Sequence, residues 1–166
     1  MREEKKYILI LFLICFIAGL LLSFVYAITY EQINKRVKKE LNITVKQFFP
    51  QTEITEELKS NEIIYYRVFD KEKNLLGYVF ICETKGYTST IKAIVGVEPS
   101  GKIKEIKILE QNETPGIGTR ITEREFLNSF IGKTKKDKID TISGATISSQ
   151  SIIKAVKESL KEIFSD

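Results

Sequence analysis

Hydrophobic and polar positions fall into three regimes along the chain. From Tyr7 to Tyr30 the run YILILFLICFIAGLLLSFVYAITY holds no charged residue, and it exceeds the roughly 20 apolar residues a helix needs to cross a bilayer. The pattern predicts one transmembrane helix over 7–30 after a short tail, 1–6. An uncleaved anchor is expected, because a cleaved leader has an apolar core of only about 7–15 residues. EQINKRVKKELN follows, with Ile33, Val37 and Leu41 at four-residue spacing among charges. That spacing predicts a helical stalk over 31–41 that breaks near Asn42.

From 62 to 111 the period changes. NEIIYYRVFD, LLGYVFICET, STIKAIVGVEP and KIKEIKILEQ are rich in β-branched and aromatic residues and are parted by KEKN, KGYT and PSG. Four strands in a meander are expected. The uneven spacing of Ile103, Ile106 and Ile108 predicts a bulge or a twisted edge in the last of them. Helical patterns then return. TEREFLNSFIGK (122–133) offers Thr122 as N-cap, Glu125 as its capping-box partner and Gly132 as a stop. A second helix runs from about Thr146 to Phe164, with Ile152, Ile153, Val156, Leu160 and Ile163 on one stripe and Lys154, Lys157, Glu158 and Lys161 opposite. Strands followed by helices define an α+β class: an antiparallel sheet packed with helices, preceded by a single N-terminal transmembrane helix, the domain spanning 42–166.

Composition narrows the chemistry. With 43% hydrophobic and 29% charged residues the chain is an ordinary folded protein. A net charge of +4 spread over both signs, without a basic-aromatic motif, argues against nucleic acid as a partner. There is no histidine, which removes the commonest general base and metal ligand. Histidine triads and His-containing zinc sites are therefore excluded, and no metal site is expected. Cys15 and Cys82 are far apart and read as apolar fillers rather than a disulfide.

One stretch calls for chemistry. DTISGATISS, residues 140–149, crowds hydroxyls and a glycine onto a helix entrance. The first turn of a helix has backbone N–H groups without partners and a partial positive charge, so it favours an anion. Gly144 and Ala145 leave the backbone approachable, and Ser143, Thr146, Ser148 and Ser149 could donate to the anion or cap the helix. On pattern alone, a Ser-rich cap with no ligand remains open.

Asp140-x-x-Ser143-Gly144-Ala145-Thr146 resembles the flavinylation motif of an FMN-binding domain family. That family includes the G subunit of the Rnf ion-translocating ferredoxin:NAD oxidoreductase and the C subunit of the sodium-translocating NADH:quinone oxidoreductase. Gly86-Tyr87, then Val95-Gly96-Val97 with Gly101-Lys102-Ile103, then Glu113-Thr114-Pro115-Gly116-Ile117-Gly118 follow the family's order. The chain's length favours the Rnf type.

The resemblance implies an electron-transfer subunit of a membrane redox complex, with FMN attached to Thr146 through a phosphoester by a separate flavin transferase. It implies Asp140 as part of the recognition sequence, with Ser143, Gly144, Ala145 and Ser148 around the phosphate. Glu113, Thr114, Gly116 and Gly118 would form a facing loop near the flavin. It also implies a flavin domain on the outer face of the cell membrane, although Arg2, Lys5 and Lys6 before the span and Lys35, Arg36, Lys38 and Lys39 after it lean slightly the other way. A stand-alone anchored flavoprotein reductase and a non-catalytic binding module are the alternatives.

Overall fold

The computed structural model describes residues 2–60 and 63–164. It divides into two compact units, Met1–Asn42 and Ile43–Asp166. In the first, helix α1 (Arg2–Phe48, which extends into the second unit) contains the window Lys5–Tyr26. Among the described residues this is the one helical window long and apolar enough to cross a membrane, and its side chains are exposed throughout. A helix apolar on all sides has no polar face to give to water.

The break expected near Asn42 is absent. Helix α1 continues to Phe48 because no breaker intervenes before Pro50. Proline disfavours the helical region for the residue before it, which places the stop at Phe48–Phe49.

The second unit is built on a five-stranded antiparallel sheet in the order β1-β2-β3-β4-β5, with β1 (Ile54–Ser60), β2 (Ile63–Phe69), β3 (Leu75–Lys85), β4 (Thr90–Val97) and β5 (Ile103–Glu110). The four strands read from the sequence are β2 to β5. The fifth, β1, is an edge strand whose residues are mostly exposed, so its sequence ITEELKS has no apolar face to announce it. The predicted irregularity in the last strand is present: the β4–β5 register shifts between Lys92 and Ala93 and again between Gly96 and Val97.

Alternation on the central strands gives the sheet two buried faces. On one, Phe80, Cys82, Ile91, Ala93, Val95 and Val97 pack with Ile152, Ile153, Val156 and Leu160 of α3 (Thr146–Ile163) and with Phe126 and Phe130. Burial of that stripe is what binds α3 to the sheet. On the other face, Gly77 and Gly96 admit Phe49 and Phe48: a Cβ at Gly77 would lie 2.7 Å from Phe49 Cζ, and one at Gly96 would lie 2.7 Å from Phe48 Cδ2. Cys82 is a buried filler, its thiol pushed up to about 12 by desolvation.

The expected helix over 122–133 is shorter and capped differently. A 3₁₀ turn, Gly118–Thr122, precedes α2 (Arg124–Asn128), and Glu123, without a side-chain cap bond, stands at the N-cap. The Thr122 hydroxyl instead donates back to Thr119 O at 2.8 Å. The helix ends at Asn128, capped by Ser129, short of the expected stop; Gly132, whose φ of 75° is left-handed, closes the turn that follows. There the chain joins the sheet edge: Gly132 N–H donates to Ile103 O at 2.7 Å and Ile103 N–H to Lys133 O at 2.8 Å.

Candidate functional site

Three segments converge on Glu113. The chain leaves β3 through a turn, residues 86–89, closed by Gly86 N–H to Ser89 O at 2.8 Å. Glu113 follows β5 by three residues and is 4% exposed. Its Oε1 accepts from the N–H groups of Thr88 and Ser89 at 3.1 and 2.9 Å and from the Ser89 hydroxyl at 3.0 Å. Its Oε2 accepts from Tyr87 N–H at 3.1 Å and from the Ser148 hydroxyl of α3 at 2.6 Å. Burial by itself pushes the carboxyl up, but the bonds from Ser148, Ser89 and Thr88 outweigh it and hold the group at about 2. Glu113 is therefore an ionised pin whose oxygens are engaged on both sides.

Two glycines make room for that carboxylate. A Cβ on Gly86 would lie 2.6 Å from Glu113 Oε1, and one on Gly118 would lie 2.7 Å from Glu113 Cβ and 2.9 Å from Oε2. Gly116 serves a different purpose. Its φ is +73° with nothing within 4 Å of a Cβ, so it allows the Thr114–Thr119 turn, in which Gly116 N–H donates to the Thr119 hydroxyl at 2.9 Å.

Opposite stands the start of α3, and it is not capped by its own hydroxyls. Ala145 occupies the N-cap with no side-chain cap bond, after Gly144 at φ +84°. The Ser149 hydroxyl donates to Ala145 O at 2.8 Å and accepts from Ile142 N–H at 3.0 Å, and that of Ser148 is committed to Glu113. The N–H groups of Thr146, Ile147 and Ser148 thus lack helical acceptors. Thr146 is exposed, and its hydroxyl has no hydrogen-bond partner among the described residues.

Between these walls lies a groove of about 500 Å³, lined by Tyr87, Glu113, Thr114, Ile117 and Gly118 on one side and by Gly144 to Ser148 on the other. That volume is within the roughly 300–1,000 Å³ usual for small-molecule sites. The structure brings together Thr146, Gly144, Ala145, Ser148, Glu113, Thr114 and Gly118. Ser143, Gly116 and Asp140 are not among the lining residues: Asp140 is exposed and paired with Lys138 at 3.1 Å, and the Ser143 carbonyl accepts from Arg120 Nη1 at 3.0 Å.

Sequence reasoning does not assign Tyr87, Ser89, Ile117, Arg120 or Ile147 to the site. Gly86-Tyr87 marks the turn without giving Tyr87 a part in the groove. Tyr87, Ile117 and Ile147 are 66%, 51% and 54% exposed, and such apolar side chains at a groove's mouth are a usable signal for a ligand with apolar faces.

Fold and groove together define a small-molecule binding domain whose site offers backbone N–H groups at a helix start and apolar side chains at its mouth. Residues 86–161, the stretch holding both walls, match the model of the FMN-binding domain family. Over 160 residues the chain is 29% identical to the G subunit of the proton-translocating ferredoxin:NAD(+) oxidoreductase complex of Clostridium ljungdahlii, covering 90% of this chain and 85% of that one. It is 28% identical to the G subunit of the ion-translocating oxidoreductase complex of Methanosarcina acetivorans, covering 93% and 92%. Among solved structures it shares its fold with Shewanella oneidensis NqrC, at a TM-score of 0.53 and 23% identity over 68% of this chain and 67% of that one. The C subunit of the Na(+)-translocating NADH-quinone reductase of Parabacteroides distasonis gives a TM-score of 0.52 at 21% identity, over 60% of each chain.

The residues present fit FMN. Unpartnered N–H groups at a helix start suit its phosphate, and Tyr87, Ile117 and Ile147 offer apolar surface to its ring.

Proposed function

We propose that this chain is the membrane-anchored electron-transfer subunit of an ion-translocating oxidoreductase complex of the Rnf type, carrying FMN on the Thr146 oxygen. The observation that carries this reading is the uncapped start of α3, with an exposed, unengaged Thr146 hydroxyl at the edge of a groove whose far wall is the Glu113–Gly118 loop. When bound, FMN supplies the redox chemistry. The chain's own residues supply position: backbone N–H groups of Thr146 to Ser148 hold the phosphate, and Gly144 and Ala145 leave the approach open. Tyr87, Ile117 and Ile147 limit water at the ring.

Attachment needs help from outside. A threonine hydroxyl is a weak nucleophile without a base beside it, and Glu113, held at about 2 by its donors, is a poor proton acceptor. A flavin transferase using FAD meets the need: the Thr146 oxygen bonds to the FMN phosphorus, the bond from that phosphorus to the AMP oxygen breaks, and the hydroxyl proton passes to a base of the transferase. Asp140 and Ser143, exposed ahead of the helix, belong to the sequence such an enzyme reads. We assign residues 7–30 to the membrane and place the flavin domain on the outer face. Protease treatment of intact spheroplasts tests this by cleaving the domain from outside.

Intact-mass measurement after co-expression with a flavin transferase tests the attachment. The expected gain is about 438 Da, the mass of FMN less one water, and it disappears in Thr146→Ala. A chain without the added mass, or a Thr146→Ala variant that keeps it, overturns the reading.

A further inference from the structure

Past the groove, α3 carries a second concave surface. Lys154, Lys157 and Lys161 line a trough of about 580 Å³ together with Lys135 and Lys136 from the loop before α3, over a buried Ile153. Among its lining residues Glu158 is the one carboxylate, and it pairs with Lys154 at 3.8 Å, both being largely exposed. Such a pair is weak. Lys135 donates to Phe164 O at 2.6 Å, and Asp137, close by in the loop, is committed to Thr134 N–H and hydroxyl at 2.8 and 2.7 Å. Lys136 and Lys161 meet no carboxylate within ion-pair distance among the described residues. Asp137 also lies within electrostatic reach of Lys157, but two carboxylates against five ammonium groups leave the trough positive, and its charges repel one another.

The shape narrows what supplies the counter-charge. Lys154 to Lys161 extend over about 10 Å of helix. A further cavity of about 420 Å³ shares Lys135 and Lys136 and continues to Gly101, Leu160 and Phe164. A single small anion reaches only part of such a row, and a flat layer of lipid headgroups does not fill a trough with apolar residues in its lining. A polypeptide segment with spaced carboxylates and an apolar side chain or two does both.

We propose that this lysine-walled trough docks an acidic segment of a neighbouring subunit. The partner's being a subunit of the same complex rests on the proposed function above; the charge and shape of the trough do not. Thr146 precedes Lys154 by eight residues, about 12 Å along α3, so a subunit docked here stands next to the flavin groove.

Zero-length carbodiimide cross-linking of the solubilised complex containing the full chain, followed by peptide mapping, tests the proposal. Amide links from Lys136, Lys157 or Lys161 to Asp or Glu of another subunit are expected. The triple variant Lys136→Glu, Lys157→Glu, Lys161→Glu is expected to lose those links and to lower co-purification of the other subunits at least tenfold at about 0.15 M salt, with the intact mass of the chain otherwise unchanged. The wild-type cross-links stand independently should the variant misfold. The proposal is overturned if the lysines give no link to another subunit, or if they are shielded from acetylation only by phosphatidylglycerol vesicles and not within the complex. If the links form while Thr146 carries no flavin, the docking surface stands and the functional reading falls.

Discussion

The Ser148 hydroxyl and Glu113 Oε2 lie 2.6 Å apart across 35 residues of sequence, and this bond ties the last helix to the loop that faces it. Ser148→Ala removes one of six hydrogen bonds donated to a buried carboxylate. It is expected to cost about 1–2 kcal/mol in thermal unfolding and to leave Thr146 able to take up flavin mass. Loss of attachment at unchanged stability would instead give Ser148 a direct part in holding the phosphate.

Glu113→Gln keeps the shape but loses the charge and sets an amide donor against N–H and hydroxyl donors. About 3 kcal/mol of stability should be lost near neutral pH. The loss has a defined pH window. Because the folded carboxyl is held at about 2, below its ordinary 4.5, its stabilising contribution is complete above 4.5 and is withdrawn as pH falls from there towards 2. The gap in unfolding temperature between the natural chain and Glu113→Gln should therefore be constant from pH 8 to 5 and narrow below 4.5.

Gly86, Gly116 and Gly118 divide into two outcomes from the same substitution. Gly118→Ala and Gly86→Ala each force a methyl against Glu113, at about 1–3 kcal/mol. Because both act through one carboxylate, their costs should combine non-additively in a double-mutant cycle. Gly116→Ala meets no atom and suffers only backbone strain, about 1 kcal/mol, which should add independently to either of the others.

Arg120 holds the Ser143 carbonyl at 3.0 Å, one residue before left-handed Gly144 and three before Thr146. Arg120→Ala frees that turn and is expected to slow flavin attachment several-fold, read as intact mass against time, with little change in unfolding temperature. Arg120→Lys, which retains a donor of different geometry, should recover part of the rate.

In a Cys15→Ser background the remaining thiol, Cys82, should resist maleimide at pH 8 until the protein unfolds. Burial pushes it to about 12 and removes the thiolate that reacts.

What the sequence made legible follows from range. Strands β2 to β5 and α3 declare themselves through local periodicity, because each buries a regular face. Strand β1 does not, since ITEELKS holds only Ile54 and Leu58 as apolar residues on an exposed edge. Thr122 and Glu125 have the spacing of a capping box, yet the 3₁₀ turn from Gly118 takes the Thr122 hydroxyl first. At the site, Thr146 and the Glu113–Gly118 stretch were readable as motifs. That Glu113 binds Ser89 and Ser148 rather than pointing free at a ligand was not, because both partners are more than 20 residues away in sequence.

The wide spacing of Glu113's partners has a consequence for maturation. The turn at 86–89, the loop after β5 and the first turn of α3 are brought together only when the sheet is complete and the helix has docked on it. A nascent or misfolded chain displays the residues of DTISGATISS but not the groove beside them. A transferase that requires the assembled groove would therefore modify finished domains alone, and the flavin would serve as a stamp of correct folding before the protein enters its complex.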